Sequence, residues 1–204
     1  MKDILKLAGT LTLTCLVAGI LLAKVYAMTK GPIEAVKQKI KVAAIKGVLP
    51  PVENDPLADA VTVKEGDKEW TFYVGRKGGE YAGAAFECSR YGYSSDVVIM
   101  VGVTVDGKVQ AIKIVSQMET PGLGANLEGD AFKGQFAGKP IDGTNWKVKK
   151  DGGDIDQITA ATISSRAATD AIAEGLEVYQ KHLDEIKGKQ GRERRENSTT
   201  KAAN

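Results

Sequence analysis

The sequence predicts an α+β protein, one globular domain carried on a single N-terminal transmembrane helix. Three observations lead there. The run LAGTLTLTCLVAGILLA, Leu7 to Ala23, contains no charged residue. Between residues 60 and 115, short runs rich in Val, Ile, Phe and Tyr are separated by Gly-, Lys- and Asp-rich turns, the pattern of strands. Near the C-terminus Ala168, Ile172, Leu176, Tyr179 and Leu183 recur at intervals of three or four, the period of one helix face. The resulting organisation is a transmembrane anchor over 1–30, a helical stalk over 31–49, the domain over 50–187 and a polar, disordered tail over 188–204.

Each element follows in order. Lys6 and Lys24 flank the apolar run and can snorkel, so Ile4 to Thr29 suffices for about 30 Å of hydrocarbon. The segment reads as a retained anchor. The alternative is a cleaved signal peptide, with Met1–Lys6 as its basic start and Val25-Tyr26-Ala27 as its cleavage site. Lys2 and Lys6 precede the run, whereas Lys24, Lys30, Lys37, Lys39 and Lys41 follow it, a count that favours a cytoplasmic domain. Long domains translocate regardless of such counts, and the start resembles an export signal, so the residues leave the orientation open. Ile33, Val36, Ile40, Ala44 and Val48 predict an amphipathic helix that Pro50-Pro51 ends. AVTVK, WTFYVGR and EYAGAAFEC predict three strands, and VVIMVGVTVDGKVQAIKIV a hairpin turning at Asp106-Gly107. A short helix is expected over Leu127 to Gln135, a short strand at WKVKK, and the last helix from Thr162.

Composition narrows the function classes. With 204 residues, 43% hydrophobic and 26% charged, the chain suits one domain with a real core. A net charge of +2, without basic residues interleaved with aromatics, argues against nucleic acid. Cys15 and Cys88 are the only cysteines, and Cys15 lies in the apolar run. An internal disulfide in the domain and an iron–sulfur cluster on this chain are therefore excluded, and one His (His182) supplies metal ligation poorly. Cys88 reads as a small buried apolar residue and His182 as a cation near a helix end.

The segment DGGDIDQITAATISSRAATDAI, Asp151 to Ile172, carries the chemistry. Thr162 falls in the first turn of the last helix, where unpaired N–H groups and the positive dipole end favour phosphate. Asp154 and Asp156 would repel a free phosphate, but they suit a metal that carries one in, or a base that takes a hydroxyl proton. On these residues alone, an ordinary hydroxyl N-cap is the simpler reading.

Asp156-Gln157-Ile158-Thr159-Ala160-Ala161-Thr162 resembles the flavinylation motif of FMN-binding domains: Asp, two variable residues, Ser or Thr, a small residue (usually Gly), Ala, then Thr. Ala160 stands where Gly is usual, which removes backbone freedom but leaves the acceptor untouched. Gln117-Met118-Glu119-Thr120-Pro121-Gly122-Leu123-Gly124 resembles the ETPGLG loop of the same domains, and Tyr91-Gly92-Tyr93-Ser94 is a weaker third match. In order, and behind one apolar helix, these segments are similar to the G subunit of the Rnf electron transport complex. The C subunit of sodium-pumping NADH:quinone reductase is a close relative.

The resemblance implies a single FMN-binding domain that is covalently flavinylated. FMN would be joined by a phosphoester to Thr162. Mg²⁺ would be needed only during attachment by a separate flavin transferase. Asp156 would assist that attachment, Thr159 would brace the loop through a hydroxyl hydrogen bond, and Ala161 would keep the approach open. Glu119, Thr120, Gly122, Leu123 and Gly124 would lie against the flavin. The resemblance further implies an electron-carrier subunit, not catalytic alone, of a membrane-bound ion-translocating ferredoxin:NAD oxidoreductase. Its partners would be membrane and iron–sulfur subunits and membrane lipid, with the domain on the extracytoplasmic side. The rivals are the equivalent quinone-reductase subunit, a stand-alone flavin reductase, for which His182 is a poor acid or base, and an exported binding domain with a degenerate motif.

Overall fold

The computed structural model describes residues 1–188. Of the expected tail, Gly188 ends a helical stretch over 183–188, and 189–204 lie outside the described residues. The chain divides into two units, Met1–Lys41 and Val42 onward. One continuous helix, α1 (Lys2–Val48), runs through both the expected anchor and the expected stalk. Its N-terminal part is long and apolar enough to cross a membrane, and none of that window is buried against protein. Leu7, Leu11, Leu16, Ile20 and Leu22 are all exposed around it, which suits a helix surrounded by hydrocarbon.

In the second unit, five antiparallel strands follow one another in sheet order: β1 (Ala60–Glu65), β2 (Lys68–Lys77), β3 (Glu80–Tyr91), β4 (Asp96–Thr104) and β5 (Val109–Ser116). The predicted hairpin turn is present, with Gly107 at φ +69°. One sheet face packs on α3 (Thr162–Lys181), where Ala168, Ile172, Leu176 and Tyr179 meet Phe72, Phe86, Ile99 and Val101. Gly175 lets α3 descend onto Phe86, since a Cβ there would lie 2.2 Å from the ring. The opposite face is covered by the last turns of α1 and the residue after it: Ala44, Ile45, Val48 and Leu49 bury Tyr73, Ala85 and Met100. Burial on both faces explains why VVIMVGV is a continuous apolar run, whereas a one-sided strand would alternate. Cys88 is buried on the α3 side, and burial pushes its thiol well above the ordinary value.

Between β5 and α3 the chain forms a 3-10 turn (Gly124–Glu128), a short α2 (Asp130–Lys133) and loops anchored by Phe132, Phe136 and Trp146. The strand expected at WKVKK does not form. Only Val148 bridges, to Ile155, and Lys149–Asp151 is a 3-10 turn. Gly152 at φ +83° reverses the chain at once, and Asn145 N–H donates to the Asp154 carboxylate across the loop at 2.7 Å, so a ladder has no room to extend. His182 caps the C-terminal end of α3, its Nε2 at 3.1 Å from Glu65.

Candidate functional site

The start of α3 is not capped by a hydroxyl. Its N-cap is Ala161, and no side chain bonds there. The first helical bond of the ladder is Ser165 N–H to the Ala161 carbonyl at 3.0 Å. Among the described residues the N–H groups of Thr162, Ile163 and Ser164 find no acceptor. Three free donors at the positive end of a 20-residue helix are a site for a phosphate-sized anion.

The hydroxyls of this turn divide cleanly. Ser164 donates to Glu119 Oε2 at 2.6 Å. Ser165 accepts from Ile158 N–H at 2.9 Å and donates to the Ala161 carbonyl at 3.0 Å. Both are buried. Thr162 is half-exposed, and its hydroxyl makes no hydrogen bond among the described residues. Thr159 is exposed and its hydroxyl is likewise unbonded there, so the expected bracing bond is not made. What shapes the loop is its backbone. Ala160 adopts φ +61°, the one positive φ outside glycine among the described residues, and turns the chain into α3, with Ala161 buried and Thr162 half-exposed at the helix mouth.

Thr162 faces a cavity of about 500 Å³, within the range of organic-cofactor pockets. Its walls are Ala160 to Ser164 on one side, Thr120, Leu123 and Gly124 on another, with Glu119 and Tyr93 completing it. Leu123, Ile163 and Tyr93 keep 40%, 50% and 66% of their surface exposed, an apolar lining suited to a planar ring. Gly122, Asp156 and Thr159 lie outside the walls. Gly122 holds φ +77° and turns the loop, its carbonyl accepting from Asn126. Of the other lining residues, no motif marks Ile163, Tyr93 belongs only to the weaker match, and Ser164, like Ser165, ranks from sequence only as an ester site second to Thr162 because it lies deeper in the helix. Nothing local marks the bond of Ser164 to Glu119, because that partner is 45 positions away.

The buried Glu119 carboxylate accepts N–H groups of Tyr93, Ser94 and Ser95 as well as the Ser164 hydroxyl. Burial by itself would raise its pKa, but the Ser164, Ser94, Ser95 and Tyr93 donors outweigh that and hold it below the ordinary carboxylate value. The acidic run before α3 is also committed. Asp151 forms a two-point pair with Arg166 at 2.6 and 2.8 Å, Asp154 holds Asn145, and Asp156 pairs with Lys149 at 2.8 Å. The Arg166 hydrogen bond pulls the Asp151 pKa down and raises that of Arg166. Among the described residues no cluster of three metal-ligating side chains forms.

A roomy, partly apolar cavity, free helix N-terminal donors and an uncommitted threonine hydroxyl fit a planar aromatic group bearing a phosphate. The class of domain is the FMN-binding domain, whose family model matches residues 92–177 and so includes all three walls. The G subunit of an ion-translocating oxidoreductase complex from Cereibacter sphaeroides is 35% identical over 86% of this chain and 84% of its own length. The G subunit of a proton-translocating ferredoxin:NAD(+) oxidoreductase complex from Clostridium ljungdahlii is 38% identical over 86% of this chain and 91% of its own. A solved structure of the C subunit of the Na(+)-translocating NADH-quinone reductase from Parabacteroides distasonis aligns with a TM-score of 0.48 at 24% identity, over 56% of this chain and 63% of that one. The chain belongs to the family of G subunits of ion-translocating oxidoreductase complexes.

Proposed function

We propose that this chain is the covalently flavinylated electron carrier of a membrane-bound, ion-translocating ferredoxin:NAD oxidoreductase, with FMN held through a phosphoester to Thr162. The observation that carries this is the Thr162 hydroxyl. It is unbonded, stands on the cavity wall, and sits in the turn whose three N–H groups lack acceptors. The neighbouring serines are buried and bonded, which leaves Thr162 as the acceptor of this turn.

In attachment, Thr162 Oγ would give its proton to a carboxylate base, Asp156 or one on the transferase, and bond to the flavin-side phosphorus of FAD. The phosphoanhydride breaks and AMP leaves. A separate transferase with Mg²⁺ supplies the metal and the nucleotide site. Asp156 serves that step from outside the cavity. Its exposed pair with Lys149 holds it by only about 1 kcal/mol or less, so it is free to turn to the transferase. Once attached, the phosphate would be held by the α3 N–H groups, and Leu123, Ile163 and Tyr93 would line the ring. FMN supplies the electron chemistry, and the chain binds and orients it. NAD and ferredoxin fall to partner subunits, including iron–sulfur ones, and α1 places the domain at a lipid membrane, on the extracytoplasmic side. A covalent link suits that side, where a cytosolic FMN pool cannot reload the site.

The test is flavin fluorescence in a denaturing gel after co-expression with a flavin transferase. The wild-type band fluoresces and the Thr162→Ala band is dark. A dark wild-type band, or a Thr162→Ala band as bright as wild type, overturns the reading.

A further inference from the structure

Resting on the flavin reading above, we infer that Glu119 and Ser164 form a positioning clamp that sets the first turn of α3, and that flavin attachment at Thr162 depends on it. Glu119 Oε1 accepts three successive backbone N–H groups, from Tyr93 at 3.1 Å, Ser94 at 3.0 Å and Ser95 at 3.1 Å. Oε2 takes the Ser164 hydroxyl at 2.6 Å. One carboxylate therefore joins the turn before β4, the loop after β5 and the start of α3. Each of these contributes a wall of the cavity, through Tyr93, Thr120 and Thr162 respectively.

The backbone is cut to fit this carboxylate. A Cβ at Gly92 would lie 2.7 Å from Oε1, and one at Gly124 would lie 2.6 Å from both Oε2 and Ser164 Oγ. Ser95 adds a second tie, its hydroxyl accepting Met118 N–H at 2.7 Å. With both oxygens engaged by protein donors and only 5% of the residue exposed, Glu119 acts through the groups it holds. Those donors stabilise the buried charge where it stands, so the carboxylate stays ionised and fixed to the three segments. Ser164 is the hinge point. It lies two residues after Thr162, so fixing its side chain fixes the rotation of the turn that presents the Thr162 hydroxyl.

Full-length chains carrying Glu119→Ala, Glu119→Gln and Ser164→Ala, each co-expressed with a flavin transferase, test this by two readouts. One is in-gel flavin fluorescence per chain. The other is amide exchange at Ser94 and Ser95, whose N–H groups have Glu119 as their acceptor. Glu119→Ala should lose about tenfold or more of the bound flavin and exchange both amides about tenfold faster. Glu119→Gln should keep both near wild type, because its amide oxygen still accepts the N–H groups and its NH₂ donates to Ser164 Oγ. Ser164→Ala, which leaves the 93–95 bonds in place, should lower loading several-fold with little change in exchange. Wild-type loading in Glu119→Ala and Ser164→Ala overturns the clamp while leaving the flavin reading intact, and so does a Glu119→Gln chain as dark as Glu119→Ala. If Glu119→Ala does not fold, a folded Ser164→Ala chain with full loading overturns the clamp by itself. A dark wild-type chain overturns the flavin reading and the clamp's role with it.

Discussion

Thr162 is available because its neighbours are spoken for: Ser164 by Glu119, Ser165 by Ile158 and Ala161. Ala160 shapes the same mouth at a conformational cost, since φ +61° brings an L-residue's Cβ against its own backbone by about 1–2 kcal/mol. Ala160→Gly relieves that strain and gives back some unfolded-state entropy, so a net stabilisation of about 0.5–1 kcal/mol is expected by urea unfolding. Glu119 brings a pH dependence. Its folded pKa is depressed below the ordinary value of 4.5. Between the two values the unfolded chain binds more protons, so stability rises with pH through that window and the contribution is complete above it. On acidification below about pH 4.5 the wild type should therefore lose stability more steeply than Glu119→Gln, as followed by thermal melts across a pH series.

Among the elements, α3 joins core to site. Its C-terminal half rests on the sheet through Gly175 and Phe86, and its first turn forms the cavity wall. Gly175→Ala gains about 1 kcal/mol of helix propensity but drives a methyl group into a fully buried ring, and overpacking costs about 1–3 kcal/mol. Packing wins where the neighbour cannot move, so a net loss of about 1 kcal/mol is expected in chemical denaturation, with flavin loading lowered because the whole helix is displaced. On the opposite face, Gly75, Gly83 and Gly102 from neighbouring strands line the path taken by residues 48–52, with Val48 O only 2.0 Å from a Cβ at Gly102. That channel is why α1 ends on the sheet.

At the scale of the whole molecule, α1 serves two solvents. Its N-terminal run is apolar on all sides, whereas Ala44, Ile45, Val48 and Leu49 belong to the core of the domain. Burial of such side chains contributes about 1.5–3 kcal/mol for each of the larger ones, on the order of 5 kcal/mol together, a large share of the about 5–15 kcal/mol that holds a domain folded. A fragment beginning at Val42 should unfold cooperatively in urea. One beginning at Glu53 should unfold at a markedly lower midpoint or lose cooperativity, because Tyr73, Ala85 and Met100 are uncovered.

The sequence by itself determined the α+β class, the long apolar N-terminal helix, the five strand runs, the hairpin turn and the position of Thr162 at a helix start, because each is written in local periodicity or a contiguous motif. It also placed Thr120, Leu123 and Gly124 together as a loop. It misjudged WKVKK, where a β-like run is overruled by a glycine reversal and a cross-loop Asn145–Asp154 bond. Only the tertiary structure decided which hydroxyl of the α3 turn is free, that Asp156 faces Lys149 away from the cavity, and that Glu119 gathers three distant segments. Those are outcomes of long-range pairing between residues tens of positions apart, and no local pattern encodes which buried donor a carboxylate will find once the sheet and α3 have closed on each other.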